Sequence, residues 1–189
     1  DLKLQFGRCR EFCEHLGVAH FGSGEYEADD IIGTLHARFR REGLPATLVT
    51  RDKDLAQLVR EGDVYWNYTE NLRLQHHEIE GHFGVAPERY ADYLALTGDA
   101  VDNIKGVPGV GPKTAAVLLK EFASLEELYD NLKEVARLPI RGAAKLPQRL
   151  ETHKDQAFLA RRLTEIARDM PLAAERDSLR PRKPDLTSL

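Results

Sequence analysis

Three short segments gather carboxylates at spacings that suit a hard cation. Glu27-Ala-Asp29-Asp30 opens an expected helix, with Glu27 and Asp30 three residues apart and so on one face. Asp52-Lys-Asp54 follows a β-branched run, and Asp99-Ala-Val-Asp102 follows Gly98. Each segment taken alone has a structural reading. Acids favour a helix's first turn, an Asp caps the next helix, and turn residues close a helix. Taken together they have a chemical reading. Carboxylates meeting in one cavity repel one another unless cations sit between them, and oxygen-only ligands select Mg²⁺ or Mn²⁺ over zinc. Such a set serves in-line displacement at phosphorus. One ion lowers the pKa of the attacking water and a second stabilises the leaving oxygen. The residues do not say whether the three segments meet.

The most specific string is Ile104-Lys-Gly106-Val-Pro-Gly109-Val-Gly111-Pro-Lys113-Thr114-Ala. Gly109 and Gly111 allow positive φ and close approach of a phosphate to the backbone. Pro112 is well placed at the first position of a helix. The N–H groups of that helix start, beside Lys113, form an anion site. The pattern is a helix-hairpin-helix, a grip on the DNA backbone that ignores base sequence. A nucleotide P-loop needs Gly-Lys-Ser/Thr after a strand. Here Pro112 separates Gly111 from Lys113 and the preceding segment reads as helix and loop, so the P-loop is rejected.

These residues need elements to position them. An amphipathic helix is expected over 4–16, another over 27–41 ended by Gly43, a buried strand over 46–50, a short helix over 54–60, and strands over 64–68 and 72–75. Helix and strand alternating in this way point to an α/β layer with a parallel sheet. After Val85 the pattern becomes helical, with helices over 87–97, 112–122, 125–131 and 150–166. The division expected is residues 1–84 as the α/β part, 85–170 as the helical part and 171–189, ending Arg180-Pro-Arg-Lys-Pro-Asp, as a tail or linker.

Composition sets bounds. The chain has 189 residues, 42% hydrophobic and 31% charged, long enough for a packed core and unlike a disordered chain. No apolar run approaches the ~18–20 residues of a membrane span, and no signal peptide is visible. Cys9 and Cys13 read as free thiols of a reducing compartment. The net charge of −4 argues by itself against a nucleic-acid binder. Yet residues 1–137 carry 16 Lys and Arg against 24 Asp and Glu, whereas 138–189 carry 11 against 7. Acids that hold metal ions and locally placed cations still suit a polyanion.

With these strings in hand the chain resembles the 5′→3′ exonuclease (flap endonuclease) family, which includes the N-terminal nuclease domain of bacterial DNA polymerase I and free-standing bacterial relatives. The segments that carry the resemblance are Tyr26-Glu-Ala-Asp-Asp30, Thr50-Arg-Asp-Lys-Asp54 with Leu55, and Leu96-Thr-Gly-Asp-Ala-Val-Asp-Asn103 leading into Gly106–Ala115. It implies a PIN-like parallel sheet layer, incomplete at its N-terminus, followed by a helical helix-hairpin-helix part. It also implies a structure-selective, metal-dependent nuclease of DNA replication and repair that acts on DNA with a 5′ flap or 5′ end. Glu27, Asp29, Asp30, Asp52, Asp54, Asp99 and Asp102 become catalytic metal ligands or near-ligands for two Mg²⁺ or Mn²⁺ ions. Gly106, Gly109, Gly111, Lys113 and Thr114 become DNA contacts. Main-chain carbonyls of Ile104, Val107 and Val110 become ligands of a K⁺ ion bridging to a DNA phosphate. A bacterial cytoplasmic, nucleoid-associated location and a DNA polymerase domain farther along the parent chain are part of the same expectation.

The resemblance departs at the front. The family's first strand, two further aspartates and basic helical arch have no counterpart here. The chain is therefore expected to be a fragment, with a sheet edge left unpaired and little or no activity alone. The alternative from another class is a non-catalytic helix-hairpin-helix DNA-binding module. A metal-dependent RNA nuclease is a third reading, disfavoured by the glycine hairpin. Smaller signals are expected to be structural: His76, His77 and His82 at the surface, and Tyr26, Tyr65, Trp66 and Tyr68 as packing. Arg141, Lys145, Arg149, Lys154, Arg161 and Arg162 fit duplex-phosphate contacts and solvated helix charges equally.

Overall fold

The computed structural model describes residues 1–185 and Thr187. The chain divides into two compact units, Asp1–Leu44 with Ala167–Leu189, and Pro45–Ile166.

In the first unit α1 (Leu2–His15) starts where the Asp1 side chain accepts the Lys3 N–H at 3.0 Å. Its expected apolar stripe is present but covers no core: no α1 residue is buried, and Leu2, Leu4, Phe6 and Phe12 are exposed. Helix α2 (Ala28–Arg41) starts with a reciprocal capping box between Glu27 and Asp30. It stops where Gly43 takes φ +75°. Its buried face carries Ile31, Thr34 and His36. Residues from the C-terminal stretch pack on it. Thr34 Oγ1 accepts the Met170 N–H at 3.2 Å, and the Arg38 guanidinium donates to the Leu172 carbonyl at 2.9 Å. Farther on, the Arg182 N–H reaches the Gly17 carbonyl at 2.9 Å and the Asp185 N–H reaches His15 at 2.7 Å. The rest of the expected tail, residues 186, 188 and 189, lies outside the described residues.

The second unit opens with strand β1 (Thr47–Val49), a 3₁₀ turn (Lys53–Leu58), and strands β2 (Val64–Asn67) and β3 (Leu72–Gln75). The sheet runs β1-β2-β3, with β1 and β2 parallel and β3 added antiparallel by a tight connection. Alternation sets the faces. Leu48, Tyr65 and Leu74 point into the core, while Val49 and Arg73 point outward. Helices α3 (His76–Phe83), α4 (Tyr90–Thr97), α5 (Pro112–Glu121), α6 (Leu125–Asp130), α7 (Leu132–Val135), α8 (Leu146–Thr152) and α9 (Lys154–Thr164) follow, with a two-residue antiparallel pair, β4 (Gly98–Asp99) and β5 (Ile104–Lys105), between α4 and α5. The expected helix over 150–166 is two helices. His153 leaves helical geometry (φ −112°, ψ 20°), so the chain turns between α8 and α9.

Helix α4 packs between α5 and α9, so Leu94, Leu96, Leu118 and Ala157 are almost wholly removed from water. Burying each large aliphatic side chain contributes roughly 1.5–3 kcal/mol. Two buried polar side chains give the packing direction. Gln57 lies in the 3₁₀ turn after β1. It donates to the Thr164 carbonyl at 2.9 Å and accepts the Ile166 N–H at 3.0 Å, fastening that turn to the end of α9. Asp92 on α4 accepts the Leu125 N–H at 3.0 Å, satisfying an otherwise unpaired donor at the start of α6.

Candidate metal centre and nucleic-acid interface

The turn after β1 aims the second acidic segment. Thr50 Oγ1 accepts the Asp52 N–H at 2.9 Å, and Asp52 Oδ1 accepts the Asp54 N–H at 2.9 Å. Asp52 therefore caps the 3₁₀ turn, as the structural reading anticipates, and the tight turn presents Lys53 and Asp54 at the C-terminal end of a parallel strand. That is where open α/β sheets collect ligands. The third segment arrives on β4. Asp99 is 4% exposed and its Oδ1 accepts the Val101 N–H at 2.8 Å.

The two segments meet. One oxygen from each of Asp54, Asp99 and Asp102 lies within 4.8 Å of the others. Asp52 lines the same open cleft of about 510 Å³, with Arg51, Lys53 and Val101. Asp54 is half-buried, Asp99 buried and Asp102 exposed, so the group is walled on one side and open to a substrate on the other. Oxygens held about 2.1 Å from one Mg²⁺ are at most about 4.2 Å apart, close to the 4.8 Å within which these three lie. Asp54 Oδ1 is buried and accepts no hydrogen bond, its cationic neighbour being the Lys53 ammonium at 3.5 Å, so the oxygen has room for a closer cation. The donor set thus fits a hard divalent cation.

Lys53 stands among these acids. Its ammonium donates to Asp99 Oδ2 and lies 3.5 Å from Asp54 Oδ1. Burial pushes the Asp54 carboxyl up, and the charges of Asp52 and Asp99 add to this against Lys53, so it titrates at about 6. Burial pushes Asp99 up as well, but the Lys53 ammonium and the Val101 N–H outweigh it and hold Asp99 below the usual carboxylate range.

Glu27, Asp29 and Asp30 belong to the first unit. There Asp30 is fully engaged: Oδ2 accepts the Glu27 N–H at 3.3 Å and Oδ1 accepts the Ala167 N–H at 2.9 Å.

The glycine string forms the connection from α4 to α5. Gly98 (φ +75°) and Gly106 face each other at the β4–β5 pair. A Cβ on Gly98 would sit 2.5 Å from the Gly106 nitrogen, and one on Gly106 would strike the backbone of Leu96–Gly98. Val107-Pro108-Gly109-Val110 is a turn closed by the Val110 N–H on the Val107 carbonyl at 3.0 Å. Proline comes second and Gly109, at φ +76°, comes third, the pattern of a type II turn. Val107 and Val110 are buried and anchor the loop, leaving Pro108, Gly109 and Lys113 exposed. Gly111 differs from expectation. It takes φ −96° as the N-cap of α5, with open space where a Cβ would be, so its glycine is not demanded by backbone geometry. No side chain caps the start of α5, where the backbone N–H groups of Lys113 and Thr114 lie.

Three residues of these sites escaped sequence reasoning or stayed undecided there. Gln156 on α9 donates to the carbonyls of Lys105 and Gly106 at 3.2 and 2.7 Å, fixing the hairpin's root, and nothing in its sequence context signals this. Arg149 on α8 is exposed, and its guanidinium occupies the space next to Gly109. Lys53 was visible only as the residue between two acids.

A parallel strand end bearing a carboxylate cluster is joined through a short strand pair to two helices connected by a glycine turn. Comparison with known proteins shows the family that shares this arrangement. A family model described as "5'-3' exonuclease, N-terminal resolvase-like domain" matches residues 1–84, and one described as "5'-3' exonuclease, C-terminal SAM fold" matches residues 85–187. The chain belongs to the 5′-3′ exonuclease family. It is 43% identical over 190 residues to DNA polymerase I of Pseudomonas aeruginosa, covering 100% of this chain and 21% of that protein. It is 33% identical over 171 residues to the 5′-3′ exonuclease of Buchnera aphidicola subsp. Acyrthosiphon pisum, covering 90% of this chain and 60% of the relative. The chain thus spans about a fifth of the polymerase and three fifths of the exonuclease. Its fold is similar to that of T5 5′-exonuclease with bound zinc, with a TM-score of 0.64 and 24% identity over 76% of this chain and 51% of that one.

Proposed function

We propose that this chain is part of a metal-dependent 5′→3′ exonuclease and 5′-flap endonuclease that hydrolyses DNA phosphodiesters. The observation that carries the reading is the convergence of Asp54, Asp99 and Asp102 in an open cleft beside the hairpin root. In this reading those three, with Asp52 lining the same cleft, hold a divalent ion, Mg²⁺ or Mn²⁺, and Glu27, Asp29 and Asp30 are carried over from the family resemblance as further candidate ligands. The ions supply water activation and charge neutralisation at phosphorus. The chain's own residues bind and orient. The Val101 N–H and the turn at Asp52 hold the carboxylates in place, and the buried wall keeps water from one side of the cluster. Water adds to phosphorus, the P–O3′ bond breaks, and a 5′-phosphate and a 3′-hydroxyl result.

The hairpin holds the duplex through the backbone at Gly106, Gly109 and Gly111 with Lys113 and Thr114, and carbonyls of Ile104, Val107 and Val110 receive a K⁺ ion. Residues 1–84 belong to the nuclease core and 85–170 to the DNA-gripping part. DNA polymerase I and T5 flap endonuclease relatives support a bacterial, cytoplasmic, DNA-associated setting, a polymerase domain in the parent chain and DNA as substrate. T5 flap endonuclease, 23% identical, has been seen with DNA and metal ions.

This chain alone is expected to cleave weakly or not at all, so the test is cleavage of a 5′-flap duplex with Mg²⁺ by the longer parent protein that carries it, compared between wild type and the double variant Asp54→Asn, Asp102→Asn. Metal-dependent cleavage that vanishes in the variant, with duplex binding retained, supports the reading. Duplex binding with no metal-dependent cleavage in either protein leaves the non-catalytic module.

A further inference from the structure

We propose that Lys53 is the built-in counter-ion of the carboxylate cluster and that a divalent cation must displace its ammonium, so that Lys53 sets the affinity and threshold of metal binding. The inference rests on the metal reading of this site and deepens it.

The geometry is specific. Both oxygens of Asp99 are already engaged, Oδ1 by the Val101 N–H at 2.8 Å and Oδ2 by the Lys53 ammonium. The Asp99 side chain is only 2% exposed, so little water compensates it and Lys53 provides most of its neutralisation. The same ammonium lies 3.5 Å from Asp54 Oδ1, whose side chain is 16% exposed and which accepts no hydrogen bond. Among the described residues no other cationic side chain is in ion-pair contact with Asp54, Asp99 or Asp102. Lys53 therefore occupies the position from which two of the three candidate ligands are shared.

An ammonium and a divalent ion sharing Asp99 Oδ2 would stand within a few ångströms of each other, and like charges in a partly buried site repel with little screening. The two states exclude one another. Lysine suits the exchange. It is a compact point charge on a flexible stem, without the planar fork that fixes arginine to a carboxylate. Its side chain is 43% exposed, leaving it a path to solvent. Without a counter-ion, the buried Asp99 and Asp54 would repel each other until metal arrived. With one, the acids are held together before metal arrives, and metal binding is correspondingly weaker. The backbone turn set by Asp52 stays in place while the ammonium leaves, since its hydrogen bonds do not involve the Lys53 side chain.

The experiment is calorimetric titration of Mn²⁺ into wild type, Lys53→Met, Lys53→Arg and Asp102→Asn, with melting temperature followed in EDTA and in Mn²⁺. Lys53→Met is expected to bind Mn²⁺ about tenfold more tightly, to melt earlier in EDTA and to gain more from Mn²⁺. Lys53→Arg is expected to bind no more tightly than wild type. A second readout uses the unaltered protein: acetylation of Lys53 by a water-soluble succinimidyl ester, read by mass spectrometry, is expected to rise several-fold on adding Mn²⁺. Unchanged or weaker Mn²⁺ binding in Lys53→Met, or unchanged or reduced labelling in the wild type, overturns the role of Lys53 while leaving the metal site standing. No Mn²⁺ binding in the wild type, or binding indifferent to Asp102→Asn, overturns the metal reading and the inference with it.

Discussion

Asp99 on β4 pairs with Ile104 on β5, so the buried carboxylate of the cluster and the first residue of the hairpin are carried on one antiparallel pair. Gly98 and Gly106 flank that pair, and their backbones approach too closely for a Cβ on either. The proposed phosphate grip and the candidate metal site are thus carried on one strand pair. Displacing the pair moves both.

Gly106→Ala is therefore expected to lower stability by about 2–4 kcal/mol, in the range of severe backbone clashes, and to weaken duplex binding and Mn²⁺ binding together. Gly111→Ala is expected to change stability by less than about 1 kcal/mol, because its φ is ordinary and the space around it is open. Thermal melts of the two variants distinguish these outcomes.

Arg149 lies against exposed Gly109 and, among the described residues, has no carboxylate in ion-pair contact. Its charge is free to meet a phosphate approaching the turn. Arg149→Gln is expected to weaken duplex binding equally across sequences and to reduce the slope of log affinity against log salt by about 1. Binding measured from 50 to 200 mM KCl by fluorescence anisotropy checks this.

The Asp54 carboxyl titrates at about 6, above its unfolded value, because burial and the neighbouring acids disfavour its charge. A raised acid favours the folded state while protonated. Without divalent ions that advantage is complete below about pH 4 and is lost as pH rises to about 6. In EDTA the melting temperature of wild type relative to Asp54→Asn is then expected to fall progressively between pH 4 and pH 6.5. Metal affinity runs the other way. It falls below pH 6, where a proton must leave Asp54 before a cation can enter. Melting curves and Mn²⁺ titrations over that range test both signs.

Much of this was readable from residue order. The capping pattern at Glu27–Asp30 marks the start of α2, Gly43 marks its end, and Pro112 opens α5, because these signals act within a few residues. The turn chemistry at Pro108-Gly109 is equally local. What the sequence concealed depends on distant partners. Gln156 acts on the hairpin across fifty residues of chain, and Gln57 meets Thr164 and Ile166 across more than a hundred. A glutamine carries no mark of the carbonyl it will find. The break at His153 was missed because the apolar period continues through it. Exposure of α1 was also not legible, since an amphipathic pattern gives a face without saying whether anything covers it.

The central claim is that Asp54, Asp99 and Asp102 share a divalent ion. Anomalous diffraction from crystals grown with Mn²⁺ tests it most directly. The expected result is a manganese peak about 2.1–2.3 Å from one oxygen of each aspartate, with the Lys53 ammonium turned away from Asp99. A peak placed elsewhere, or an Asp99 still paired with Lys53 at saturating Mn²⁺, contradicts the account.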